Sequence, residues 1–252
     1  MPTIAALYRY PVKGLSAEPM DCVRLAQDRG IPGDRAYAIE NGPSGFDQSA
    51  PRFLQKIAFL MLMRNEQLAA FSTSFNDATR VLNIARDGET LVMGNLDSAA
   101  GRTTIEAFLD EHMADELRGP TKILSAPGHS FADCGRPLVS LINLASVAEL
   151  ACHVGAPVHP LRFRGNLYAD GLPAWQELDL VGTRLKVGHA IFEVVERINR
   201  CAATNVNPET AARDLAVPRT LLNVYGHADC GVYGKVVDGG NIRIGDEVAV
   251  IA

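Results

Sequence analysis

The sequence predicts a β-rich α+β fold, and three observations carry that expectation. Glycine (22) and proline (14) together take about one position in seven of the 252 residues. Short segments of alternating apolar and polar residues recur along the chain, and only a few stretches keep a helical period. Turn residues fall between nearly all of them, as many short strands require.

The elements follow in order. Thr3 to Tyr10 reads as a strand that leaves through the turn Pro11-Val12-Lys13-Gly14, and Asp21 to Leu25 alternates as a second strand. A tight connection, Gly30 to Arg35, feeds a third strand from Ala36 to Glu40, and Gly42 to Ala50 is a polar, mobile loop. From Arg52 to Phe71 the apolar residues are nearly continuous, and periodicity leaves helix and strand both open. Val81 to Ile84 and Thr90 to Met93 form a hairpin around Gly88. A helix is predicted from Thr104 to Glu116, with Thr103 or Thr104 as its cap and Ile105, Phe108, Leu109 and Met113 on one face. Gly119-Pro120 ends it and divides the chain into units 1–118 and 119–252. A second helix runs from Ser146 to His153, with Ser146 and Glu149 at capping-box spacing and Gly155 as its stop. Arg184 to Val187 and Ala190 to Val195 flank Gly188-His189 as a hairpin. Pro208 to Asp214 and Pro218 to Tyr225 read as short helices that begin at proline. The chain closes with Gly231 to Val237, the turn Asp238 to Asn241, and Ile242 to Ile251 as a second hairpin.

Composition excludes several functions. The formal charge is −5, so no global basic field argues for nucleic acid. The longest apolar run, Ile57 to Met63, is far short of a membrane span, and no secretory signal opens the sequence, so a cytoplasmic address is expected. The five cysteines (Cys22, Cys134, Cys152, Cys201 and Cys230) contain no close pair, which argues against a disulfide framework or a clustered-cysteine metal site.

Chemistry-bearing residues stand in a few places. Cys201 follows a strand end beside Arg200, where a thiolate is favoured and reachable and where a soft metal would find a ligand; a buried structural cysteine is the competing reading. Lys13, Arg35 and Arg164 sit beside glycine-containing turns and are either phosphate contacts or ordinary surface charge. Asp133 and Asn166 suit either the edge of a polar heterocycle or Asx-turns. His227, Asp229 and Cys230 crowd one loop, as a Cys/His nucleophile or as loop structure.

Laid out in this order, the residues resemble a MOSC-domain protein preceded by the small β-barrel that accompanies many members, a group that includes amidoxime- and N-hydroxylated-compound reductases. The resemblance is carried by Tyr10 to Gly14, Gly33 to Arg35, Phe131 to Asp133, Arg162 to Asn166, Trp175 to Leu178, Arg200 to Thr204, and Gly231 to Tyr233 with Ile244 to Asp246. It implies a MOSC β-barrel core with peripheral helices over residues 119–252, packed against a smaller N-terminal barrel. It implies molybdenum held by the dithiolene of a pterin and ligated by Cys201. Lys13, Gly14, Arg35 and Arg164 fall where such proteins hold the pterin phosphate or approach the cofactor, and Asp133, Asn166 and Arg200 where they contact the pterin. The implied activity is reduction of small N-oxygenated compounds, with electrons from a separate flavin, haem or iron–sulfur protein. The alternative is a carrier of the cofactor, or of a persulfide on Cys201, without turnover. The length leaves no room for the pyridoxal-phosphate domain of a sulfurase. Two departures stand out: Gly14 replaces a hydroxyl residue usual after the lysine, and Asn207 replaces a usual aspartate.

Overall fold

The computed structural model describes residues 1–251. Its elements are β1 (Thr3–Arg9), β2 (Glu18–Met20), β3 (Cys22–Leu25), β4 (Tyr37–Asn41), β5 (Ser72–Asn76), β6 (Val81–Arg86), β7 (Glu89–Asn95), α1 (Ala99–His112), β8 (Thr121–Ser125), β9 (Val139–Asn143), α2 (Leu144–Val154), β10 (Leu167–Asp170), β11 (Arg184–Val187), β12 (Ala190–Asn199), α3 (Val217–Tyr225), β13 (Asp229–Asp238), β14 (Gly240–Arg243) and β15 (Val248–Ile251). The β-rich α+β class expected from sequence is what forms.

Eight strands make one sheet in the order β15-β11-β12-β13-β9-β10-β1-β2. The sheet curls until its ends meet: Ile4 N–H donates to the Asp246 carbonyl (2.9 Å), and Val248 N–H donates to that of Pro2 (2.9 Å). Alternation explains the interior. Leu185 and Val187, Phe192 and Val194, and Val232 and Val236 point into one core with Ile4, Leu7 and Leu167, while their neighbours face out. Each such side chain contributes about 1.5–3 kcal/mol on burial.

The second unit combines the β5-β6-β7 sheet, the β4–β8 pair and α1 around Ile39, Leu82, Ile84, Ile105 and Leu109. The division expected at 118/119 is crossed in both directions. Strand β1 lies in the barrel beside β10, and β8 pairs with β4 in the other unit. The two units are therefore stitched at the place where β1 leaves the barrel, and that place becomes important below.

Four local expectations are corrected. Helix α1 begins a turn early because Ser98, not Thr103 or Thr104, accepts from the Gly101 N–H. Helix α2 is capped by Asn143; Ser146 instead bonds Glu177 and Trp175, and Glu149 bonds Trp175 and Tyr225. Residues 208–214 form no helix, because Val206 bridges to Arg213 and Ala211 is left-handed (φ +59°). The closing hairpin does not form either: β14 pairs with β3, and β15 pairs with β11.

Candidate functional site

Where β1 leaves the barrel, the turn after it meets the ends of β9, β12 and β13 around a cavity of about 410 Å³. Lys13, Gly14, Arg35, Asp133, Arg164, Asn166, Arg200 and Cys201 all line it. Residues more than a hundred positions apart in sequence thus share one space.

Its basic corner is organised by Tyr10. The ring is buried, with the Arg35 guanidinium 4.5 Å from its centroid and that of Arg164 4.3 Å away. Both arginines take the left-handed conformation (φ +50° and +49°), so these turns aim their side chains at one point. A tyrosine face between two cations offsets about 0.5–2 kcal/mol of their repulsion per contact. Arg35 pairs with Asp34 and donates to the Arg164 carbonyl (3.0 Å). Burial works against its charge, but Asp34 and Tyr10 outweigh it and hold its pKa above the usual arginine value. Arg164 is different. Burial lowers its pKa; Nη1 donates to the Leu15 carbonyl (2.8 Å), and Nη2 is enclosed without any partner. An orphaned guanidinium nitrogen in a cavity wall is a place for an anionic oxygen.

Lys13 is buried and donates to the Phe131 carbonyl (2.7 Å) and to Asp133. Burial depresses the pKa of its ammonium despite the favourable Asp133 charge. Burial would raise that of the half-exposed Asp133 carboxyl, yet Lys13 foremost, then Lys56 and Arg35, pull it down. Gly14 has φ +88°, and a Cβ there would lie 3.0 Å from the Leu60 carbonyl oxygen. The chain turns where only glycine fits without strain, which accounts physically for the missing hydroxyl residue.

Cys201 stands at the start of the turn Ala202–Asn205, partly exposed, with its carbonyl accepting from the Thr204 amide (3.1 Å) and hydroxyl (2.9 Å). Its sulfur makes no hydrogen bond among the described residues and is partly exposed, unlike the buried Cys230. Its loop is clamped from below. Buried Arg162 donates to both oxygens of Asp214 (2.7 and 2.9 Å) and to the Asn205 carbonyl (3.0 Å). Arg200 gives Nε and Nη2 to the Cys230 carbonyl (2.7 and 2.5 Å) and Nη1 to that of Phe163 (2.9 Å). Asn166 is similarly committed: its Oδ1 accepts from the Ser140 amide and hydroxyl, and its Nδ2 donates to the Tyr8 carbonyl. Asn207 closes a turn onto the Glu209 amide (2.9 Å) and donates to Asp214 (2.9 Å), a bond that aspartate would replace with a like-charge contact.

The His227/Cys230 pairing is not a nucleophile: Cys230 is fully buried and its thiol is pushed up to about 12 by burial. His227 Nδ1 accepts from the Asp229 amide (3.1 Å), which makes the loop a structural turn.

Four cavity residues carry no individual role in the sequence: Tyr10, Arg162 and Tyr233, which fall in segments named above, and Lys56. Tyr233 lies in register with Ser140 on β9 and Glu196 on β12, and all three face the cavity. Alternation could have found it, because the buried Val232 and Val236 fix the opposite parity for Tyr233. Lys56 had no such signal, since it falls in the run from Arg52 to Phe71 that lacks a period.

Residues 128–249 match the family model described as the MOSC domain. A molybdenum cofactor sulfurase of Caenorhabditis elegans is 24% identical over 218 residues, which is 84% of this chain and 30% of that protein. Its Caenorhabditis briggsae counterpart is 38% identical over 76 residues, 29% of this chain and 10% of that protein. The chain thus spans under a third of the length of the curated relatives it matches. Among solved structures, the YUAD protein from Bacillus subtilis aligns with 98% of this chain and 94% of its own, at 15% identity and TM-score 0.46. YiiM from Geobacillus stearothermophilus covers 45% of this chain and 54% of its own, at 19% identity and TM-score 0.36. The segment that matches the MOSC-domain model, residues 128–249, contributes Asp133, Arg164, Arg200 and Cys201 to the cavity.

Proposed function

We propose that this protein binds the molybdenum cofactor in the cavity and reduces small N-oxygenated compounds. The observation that carries the reading is the pairing of a partnerless, enclosed Arg164 Nη2 with an unengaged Cys201 thiol in one cavity. The donor set fits the group: a phosphate suits the Arg35–Arg164–Lys13 corner, and a soft metal suits a single thiolate. When bound, the cofactor would supply the two-electron chemistry, in which two electrons and two protons convert an N–OH group to N–H and water.

The chain's own residues have distinct tasks. Arg35 and Arg164, spaced by Tyr10, hold the phosphate end. Arg162 and Arg200 fix the loop that presents Cys201. Lys13, with its depressed pKa and its partner Asp133, is a proton-bearing pair inside the cavity. In this reading electrons come from a separate flavin, haem or iron–sulfur protein, and the enzyme is cytoplasmic. Among the described residues, no helix is long and apolar enough to cross a membrane. The test is molybdenum and pterin analysis after expression in a cofactor-competent host, with turnover of an N-hydroxylated amidine. Cofactor-bound protein that turns over supports the reading, and cofactor-free protein opposes it.

The partly exposed, unengaged Cys201 thiol also supports a second reading, a sulfur carrier. A persulfide on Cys201, seen by mass spectrometry without molybdenum or turnover, would favour it.

A further inference from the structure

The cations that line the cavity differ in how much of their bonding capacity is already taken. Lys13 gives its ammonium to Phe131 and Asp133. Arg35 is held by Asp34 and the Arg164 carbonyl, and all three donor nitrogens of Arg200 go to carbonyls. Arg162 is tied to Asp214. The donors left without a partner are Nη2 of Arg164 and Nε of Arg162, both enclosed, and the ammonium of Lys56, which makes no hydrogen bond or ion pair with the described residues; Arg197 gives Nε to the Leu178 carbonyl and pairs with Asp179. Arg164 and Lys56 come from different elements. Arg164 belongs to the barrel, whereas Lys56 opens the short turn Lys56–Ala58 and is partly buried against the cavity. A single phosphate is matched by the Tyr10 corner and does not account for a further lysine on another segment, in a chain whose net charge is −5.

We propose that the cavity takes a ligand with two separate anionic groups, a phosphate at Arg164 and a second phosphate or a carboxylate at Lys56. The proposal rests on the cofactor-site reading above and narrows it. The second anion belongs either to the cofactor, as a nucleotide-extended pterin, or to the substrate, as an acidic N-oxygenated compound.

The test compares two probes by calorimetry on cofactor-free protein at low ionic strength. Glycerol 3-phosphate and 3-phosphoglycerate share a skeleton and a phosphate, and only the second adds a carboxylate. Wild-type protein is expected to bind 3-phosphoglycerate about ten-fold more tightly, a typical worth for one charge-assisted contact. Lys56→Gln should remove that preference and leave glycerol 3-phosphate affinity unchanged, and Lys56→Arg should retain it. Equal binding of both probes by wild type, or an equal loss of both in Lys56→Gln, overturns the proposal. If neither probe binds, the phosphate-site reading fails with it; if glycerol 3-phosphate binds without any preference, only this proposal fails. Analysis of cofactor released from loaded protein separates the sources. A nucleotide-extended pterin assigns Lys56 to the cofactor. A plain pterin monophosphate assigns it to substrate, and Lys56→Gln should then raise KM for a carboxylate-bearing N-hydroxy compound while sparing a neutral one.

Discussion

The two sides of the cavity are built on opposite principles. On the barrel side, Asn166, Arg162 and Arg200 spend their polar groups on Ser140, Tyr8, Asp214 and backbone carbonyls, with only the Arg162 Nε left unpartnered. On the other side, Lys13 and Asp133 hold each other and the Lys56 ammonium holds nothing, while Arg164, at the barrel's border with it, keeps Nη2 free. The first arrangement fixes the position of Cys201; the second leaves charge for an incoming group. A site that must place one sulfur accurately and also receive an anion benefits from this division, because preorganised groups need no rearrangement on binding.

Several experiments sharpen or break the contrast, starting with the largest effect. Cys201 should alkylate readily with iodoacetamide at pH 8. Cys230, raised to about 12, is about one part in ten thousand thiolate there and should react only on unfolding. Peptide mapping that finds the two labelled at similar rates would remove the distinction between open and buried thiols.

Arg162→Ala leaves the Asp214 carboxylate with Asn207 alone and frees the Asn205 carbonyl, and should lower stability by about 2 kcal/mol in urea titration. This is below the value for a wholly buried pair because Asp214 is about one-third exposed. A cost near zero would show that the barrel side is not rigidly held. Gly14→Ser, which places a hydroxyl after Lys13, should cost about 1 kcal/mol, since it forces a side chain into φ +88° against Leu60. It should not tighten phosphate binding.

Asp133→Asn should act most weakly, and with a definite pH sign. The Asp133 carboxyl is held below its ordinary range in the fold, with Lys13 outweighing burial. Its contribution is therefore complete above the unfolded carboxylate pKa and is lost as pH falls through the lowered folded value. Wild-type and variant stability should differ near neutrality and converge on strong acidification. A gap that widens toward acid would reverse the assignment.

The contrast also explains what the sequence could and could not reveal. Parity along Val232, Tyr233, Gly234 and Val236 is a local property, so the strand and the cavity face of Tyr233 were both readable. Pairing partners are not local. Asp238 to Asn241 has the composition of a hairpin turn, yet a Cβ on Gly240 would lie 2.3 Å from the His189 carbonyl oxygen. That glycine serves a close backbone approach, and β14 leaves to bury Ile242 beside β3. Ser146 and Glu149 likewise matched a capping box, but a buried Glu177 and the Trp175 indole were better partners. The eight candidate residues were legible as types beside turns and strand ends. Their convergence depended on β1 joining the barrel, which no local pattern encodes.

The central claim is that this cavity, completed by Cys201, holds molybdenum through a pterin. Its most direct test is elemental and pterin analysis of wild-type and Cys201→Ser protein purified from a molybdenum-replete, cofactor-competent host. Wild-type protein should carry about one molybdenum and one pterin per chain, and a folded Cys201→Ser variant should lose its molybdenum. Folded wild-type protein free of both, or molybdenum content unchanged by the substitution, would contradict it.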